Sequence, residues 1–116
     1  MLGLQRLGWA ESVLLADTLP QLALELERLL AKAGKPELAA QVPGLVIVDR
    51  CRCGDDFCSS FYTQPKPEGR WGPDHDCLDL DAEEGMVVLD VVAGTIAQVE
   101  VLNRDDVRTK LIAQIP

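Results

Sequence analysis

Two apolar runs late in the chain, 86–92 and 95–102, leave it little choice of local structure. Both are rich in valine and isoleucine, whose branched side chains fit a pleated surface better than a helix. Between them stands Ala93-Gly94, and Gly94 accepts the positive φ that a two-residue turn demands. The segment therefore reads as a tight antiparallel hairpin. Such a hairpin is not stable alone, so its apolar face must be covered by something else in the chain.

The cover is legible upstream. Leu19, Leu22, Ala23, Leu26, Leu29, Leu30 and Ala33 recur at three- and four-residue spacing, which predicts a helix over 19–33. Thr18 and Gln21 stand in the relation of a capping box, Pro20 is tolerated in the first turn, and Gly34 lies where a left-handed cap ends a helix. Residues 9–16 suit either a helix or a short strand, and 36–41 one or two helical turns stopped by Pro43 and Gly44. From Leu45 the apolar period changes to two. Strands are predicted over 45–53 and 57–63, joined into a hairpin by Gly54-Asp55-Asp56. The Pro- and Gly-rich stretch 64–76 reads as an irregular loop pinned by Trp71. Residues 77–81 alternate leucine with aspartate, as in a half-exposed edge strand. Asn103 is placed to cap a final helix over 104–115, with Asp105 and Asp106 near its positive end.

Helix, hairpin, loop, hairpin, helix is an α+β order. The expectation is a single domain spanning 1–116: a four- or five-stranded antiparallel sheet built from two hairpins, with helices packed on one face.

Charge and composition remove several classes of function. Eleven basic against nineteen acidic residues leave a net charge of −8. That repels a phosphate backbone, and no Lys/Arg cluster offsets it, so nucleic-acid binding is not expected. No apolar run approaches the length of a membrane span, and the first residues lack the pattern of a secretory signal, so the expectation is a cytoplasmic protein. An acidic surface suits a basic protein partner. The strand at 77–81 offers an edge to a second copy, but its acids oppose such pairing; monomer and homodimer both stay open.

The distinctive segment is Asp49-Arg50-Cys51-Arg52-Cys53-Gly54-Asp55-Asp56-Phe57-Cys58. Strand alternation puts Cys51 and Cys53 on one face, and a hairpin turning at Gly54 sets Cys53 opposite Cys58. The same alternation carries Arg50 and Arg52 to the other face, away from the thiols. His75 and Cys77, at the end of the long loop, are further candidates to join them. Cys51, Cys53, Cys58, His75 and Cys77 thus contain, as any four, the Cys₃His or Cys₄ sets that hold structural zinc. The spacing is not the paired C-x₂-C pattern of a zinc finger, so two other readings stand beside zinc: cysteines buried as small hydrophobes, and a redox pair of Cys53 with Cys58.

Other chemistry finds less support. His75 between Asp74 and Asp76 is a polarised base on paper, yet a lone histidine in such a loop is usually just solvated. Asp55-Asp56 is what a turn needs in any case. The acidic run 74–84 lacks the glycine and ligand spacing of an EF-hand, and no phosphate-loop, dinucleotide, nucleophile-elbow, zinc-protease or deaminase motif occurs.

The segment from Cys51 to Cys58 with Ser59-Ser60-Phe61-Tyr62-Thr63 resembles one in small uncharacterised bacterial proteins. The stretch Gly85-Met86-Val87-Val88-Leu89-Asp90, with Ile96 and Val99-Glu100-Val101-Leu102, is similar to the closing hairpin of other small bacterial domains. The resemblance implies bacterial origin and carries no activity or functional residue with it. The leading expectation is a non-enzymatic cytosolic binding or accessory protein, with an immunity-type inhibitor of a basic protein as its specific form. A structural zinc domain and a thiol-dependent enzyme or redox sensor are the alternatives.

Overall fold

The computed structural model describes residues 12–116. The chain runs β1 (Val13–Leu14), α1 (Leu15–Thr18), α2 (Pro20–Lys32), α3 (Pro36–Ala39), a 3₁₀ turn (Val42–Gly44), β2 (Val46–Ile47), β3 (Asp49–Arg50), β4 (Phe61–Tyr62), β5 (His75–Leu80), β6 (Met86–Val92), β7 (Thr95–Leu102) and α4 (Asp105–Gln114). Strands β1 and β2 pair as a small antiparallel sheet, and the other five form an antiparallel sheet in the order β3-β4-β7-β6-β5. The architecture is α+β, as the change of period predicts.

Helix α2 buries Leu22, Ala23, Leu26, Leu29 and Leu30, the stripe picked out by its spacing. These leucines join Phe61, Val87, Leu89, Val99 and Val101 of the sheet in one apolar core, with Leu15 and Ile47 at its end. Gly34, at φ +76°, closes the helix: its N–H reaches the Ala31 carbonyl and the Lys35 N–H that of Leu30, the paired bonds of a Schellman cap. The N-terminus differs from expectation. Thr18 ends α1, Leu19 takes the cap position, and no side chain caps the helix there. Pro20 supplies the start instead, since its missing N–H needs no acceptor.

The hairpin of β6 and β7 falls on the predicted residues, and both Ala93 (φ 50°) and Gly94 (φ 81°) take the left-handed conformation of a type I′ turn. Asn103 does not cap α4. It turns the chain at φ 61°, and Arg104 stands at the cap position. The predicted strand 45–53 is broken at Val48, because β2 belongs to the small sheet and β3 to the large one. The predicted strand 57–63 contracts to Phe61–Tyr62, with Cys58 bridging Leu102 by itself. The two halves still pair as a hairpin, Asp49 opposite Tyr62 and Arg50 opposite Phe61. The expectations for 9–11 lie outside the described residues; beyond them, the ambiguous stretch divides into strand β1 and helix α1.

Candidate metal-binding clusters

Directly opposed residues of an antiparallel sheet share a face. Arg50, Phe61, Val99, Leu89 and Leu78 form one row across all five strands, on the face that the helices cover. Asp49, Tyr62, Gln98, Asp90 and Cys77 form the adjacent row, on the opposite face. Two groups of potential ligands occupy that second face, at its two edges.

The first group is Cys51, Cys53 and Cys58, whose sulfurs all lie within 4.8 Å of one another. The hairpin register produces it: the Cys51 N–H bonds the Ser60 carbonyl, and the intervening turn brings Cys58 back beside Cys53. Cys51 and Cys58 are half-buried and Cys53 is exposed. Burial pushes the Cys51 thiol up to about 11, helped by hydrogen bonds with the Cys53 and Cys58 sulfurs. Burial also works against ionising Cys58, but hydrogen bonds from the Ser60 hydroxyl, the Ser60 N–H, Cys53 and Cys51 outweigh it and hold that thiol below its ordinary value. Cys58 therefore ionises more readily than Cys51, with donors around it. A cleft of about 750 Å³ opens beside Cys51 and Cys53, lined also by Tyr62, Arg50, Arg52 and Lys66. Arg50 donates to the Ile115 carbonyl at 2.6 Å. Arg52 folds back onto Asp49 at 2.9 Å rather than continuing the alternation, because β3 ends at Arg50.

The second group is His75, Cys77 and Asp90. His75 is not in the loop: it begins β5, two residues before Cys77 on the same face, and Cys77 lies opposite Asp90 of β6. His75 Nε2 is 2.7 Å from Asp90 Oδ1, and the Cys77 thiol donates to the same oxygen at 3.3 Å. Trp71 packs between Tyr62 and His75, with ring centroids 6.3 Å and 6.4 Å away, which anchors the loop as expected. His75 and Cys77 do not reach the other three cysteines. They form a separate group, built on β5 and β6 rather than on the β3–β4 hairpin.

Asp90 and Glu100 were not singled out by sequence, although each is an isolated acid inside an apolar strand. Asp90 is buried, with only 4% of its side chain exposed. Burial would raise its carboxyl, but hydrogen bonds with Glu100, His75 and Cys77 hold it below the usual range. Glu100 goes the other way, up to about 7, through its hydrogen bond to Asp90, its own burial and the Asp90 charge. Asp90 Oδ2 is buried with no hydrogen-bond partner, and a protonated Glu100 carboxyl is a donor that an ionised one is not.

A raised folded-state carboxyl binds its proton where the unfolded chain has already lost it. The contribution to stability is full below about 4.5 and is lost as pH rises through about 7. The metal-free protein is expected to lose about 1 kcal/mol between about pH 5 and about pH 8, allowing for the solvent that still reaches Glu100. Glu100→Gln, which keeps a donor toward Asp90, should flatten that slope in urea unfolding; an unchanged slope would place the proton elsewhere.

The chain matches no protein-family model, no curated protein and no solved structure. Among the described residues no helix is long and apolar enough to cross a membrane.

Proposed function

We propose that this chain is a non-enzymatic metal-binding protein in which Cys51, Cys53 and Cys58 hold zinc or a similarly thiophilic cation. The observation that carries the reading is the convergence of three sulfurs within 4.8 Å at one hairpin. Zinc–sulfur bonds of about 2.3 Å set sulfur pairs about 3.8 Å apart in a tetrahedral site, so no pair need close by more than about 1 Å. Three thiolates around a divalent ion leave one net negative charge, and Arg50, Arg52 and Lys66 along the adjoining cleft offset it. A metal also supplies what Cys51 lacks, a reason to ionise despite burial.

The test is metal content by elemental analysis with native mass, on protein purified without a histidine tag or chelator. About one zinc bound through the three cysteines supports the reading, with freely alkylated thiols falling from four to one as that site fills. Metal-free protein that takes up no added Zn²⁺ at these residues refutes it. A redox pair of Cys53 with Cys58 is the second reading, favoured by the lowered Cys58 thiol beside an exposed Cys53. It predicts that mild peroxide removes two hydrogens from the chain and blocks alkylation of those two residues together. A basic partner protein rests on net charge alone and gains no support from either cluster.

A further inference from the structure

We infer that His75, Cys77 and Asp90 form a second divalent-metal site, independent of the three-thiol cluster and suited to zinc. Three chemically different donors, an imidazole nitrogen, a thiol sulfur and a carboxylate oxygen, lie within 4.8 Å of one another. They come from rigid sheet positions: His75 and Cys77 alternate onto one face of β5, and Asp90 is directly opposed to Cys77 on β6. Both His75 Nε2 and Cys77 Sγ point at the same oxygen, Asp90 Oδ1, at 2.7 Å and 3.3 Å.

Burial of Asp90 is what sets the cluster apart from a surface pair. A carboxylate with 4% of its side chain exposed favours a cation beside it, and its one ion-pair partner among the described residues is His75, which is charged only when protonated. A divalent ion at the convergence point compensates the carboxylate directly and takes the lone pairs of the other two ligands. Nitrogen, sulfur and oxygen donors together match zinc, which accepts all three, better than the all-oxygen preference of calcium or magnesium. The supporting contacts are also those of a metal centre. Glu100 stands on the neighbouring strand β7, on the same face as Asp90, and Trp71 flanks the imidazole. Cys77 is exposed, so a fourth position on a tetrahedral ion would face solvent. Three protein ligands with one solvent-facing position is the pattern of zinc sites that bind small ligands, not of closed structural ones.

The test is titration with Co²⁺, whose visible spectrum reports tetrahedral coordination and thiolate ligation, followed by displacement with Zn²⁺. A variant with Cys51, Cys53 and Cys58 all replaced by serine is expected to bind one equivalent carrying the signature of a single thiolate. Adding Cys77→Ser or His75→Ala should weaken that equivalent by more than about tenfold. A natively folded triple variant that takes no cobalt would overturn the inference, as would Cys77→Ser and His75→Ala variants that retain it. If the triple variant does not fold, the single substitutions in the otherwise intact chain decide: loss of the one-thiolate component supports the site, and its persistence overturns it. Should the intact chain bind one equivalent only, sensitive to Cys77 and indifferent to Cys58, this site stands and the three-thiol reading falls.

Discussion

Arg104→Ala is expected to cost about 3–5 kcal/mol of folding free energy, read as a loss of unfolding free energy in urea. The guanidinium is only 9% exposed and grips both oxygens of Glu25, at 2.9 Å and 3.0 Å. It also reaches Asp106 at 3.1 Å and 3.2 Å, and the Glu84 carbonyl at 3.4 Å. These bonds to Glu25 and Asp106 raise the guanidinium still further above its ordinary range. They tie helix α2 to the junction of β7 with α4, so truncation leaves Glu25 half-buried, charged and unpaired. Replacing both partners together, Glu25→Leu with Arg104→Met, should recover most of the loss, because the cost lies in the orphaned charge rather than in the absent attraction. A loss under about 1 kcal/mol for the single variant would make this an ordinary screened pair.

Cys58→Ser is expected to weaken zinc binding at the three-thiol cluster more than about a hundredfold. Substitutions that only touch a ligand's hydrogen-bond partner already cost about 10–100-fold, and this one removes the ligand. Cys58 is also the sulfur on which the neighbouring donors converge, Ser60 and both other cysteines included. Its loss should slow alkylation of the metal-free cluster, since it removes the thiol held below its ordinary value and leaves Cys51 still raised by its own burial. Competition with a chromogenic chelator measures the first effect, and timed iodoacetamide labelling with peptide mass analysis the second. Wild-type affinity in the variant would remove Cys58 from the ligand set.

What the sequence made legible was local. The spacing of Leu22, Leu26, Leu29 and Leu30 found α2, and the Ala93-Gly94 turn found the β6–β7 hairpin to the residue. Proximity of Cys53 to Cys58 followed from turn chemistry alone. What failed were inferences in which tertiary context competes with local preference. Thr18 had the composition of a cap but was already committed to α1. Val48 had strand composition, yet the chain changes sheets there. His75 was misplaced because prolines and glycines before it mark a loop, while its strand is dictated by pairing with Val92. Asp90 was missed for the opposite reason: an acid amid valines reads as an exposed strand position, and only the sheet order shows that strands flank it on both sides.

The register that builds the clusters also orders their assembly. Each draws its ligands from one hairpin, residues 51–58 in the first case and 75–90 in the second. The sheet as a whole closes only when β4 meets β7, a pairing that joins Phe61 to Val99. Closing short loops costs less entropy than closing long ones, and hairpins form in about 1–10 μs. Neither ligand set therefore needs the β4–β7 pairing to bring its own residues together. A cation captured early would hold a hairpin in register before its long-range partner arrives, so metal supply would govern how fast this protein folds as well as what it binds.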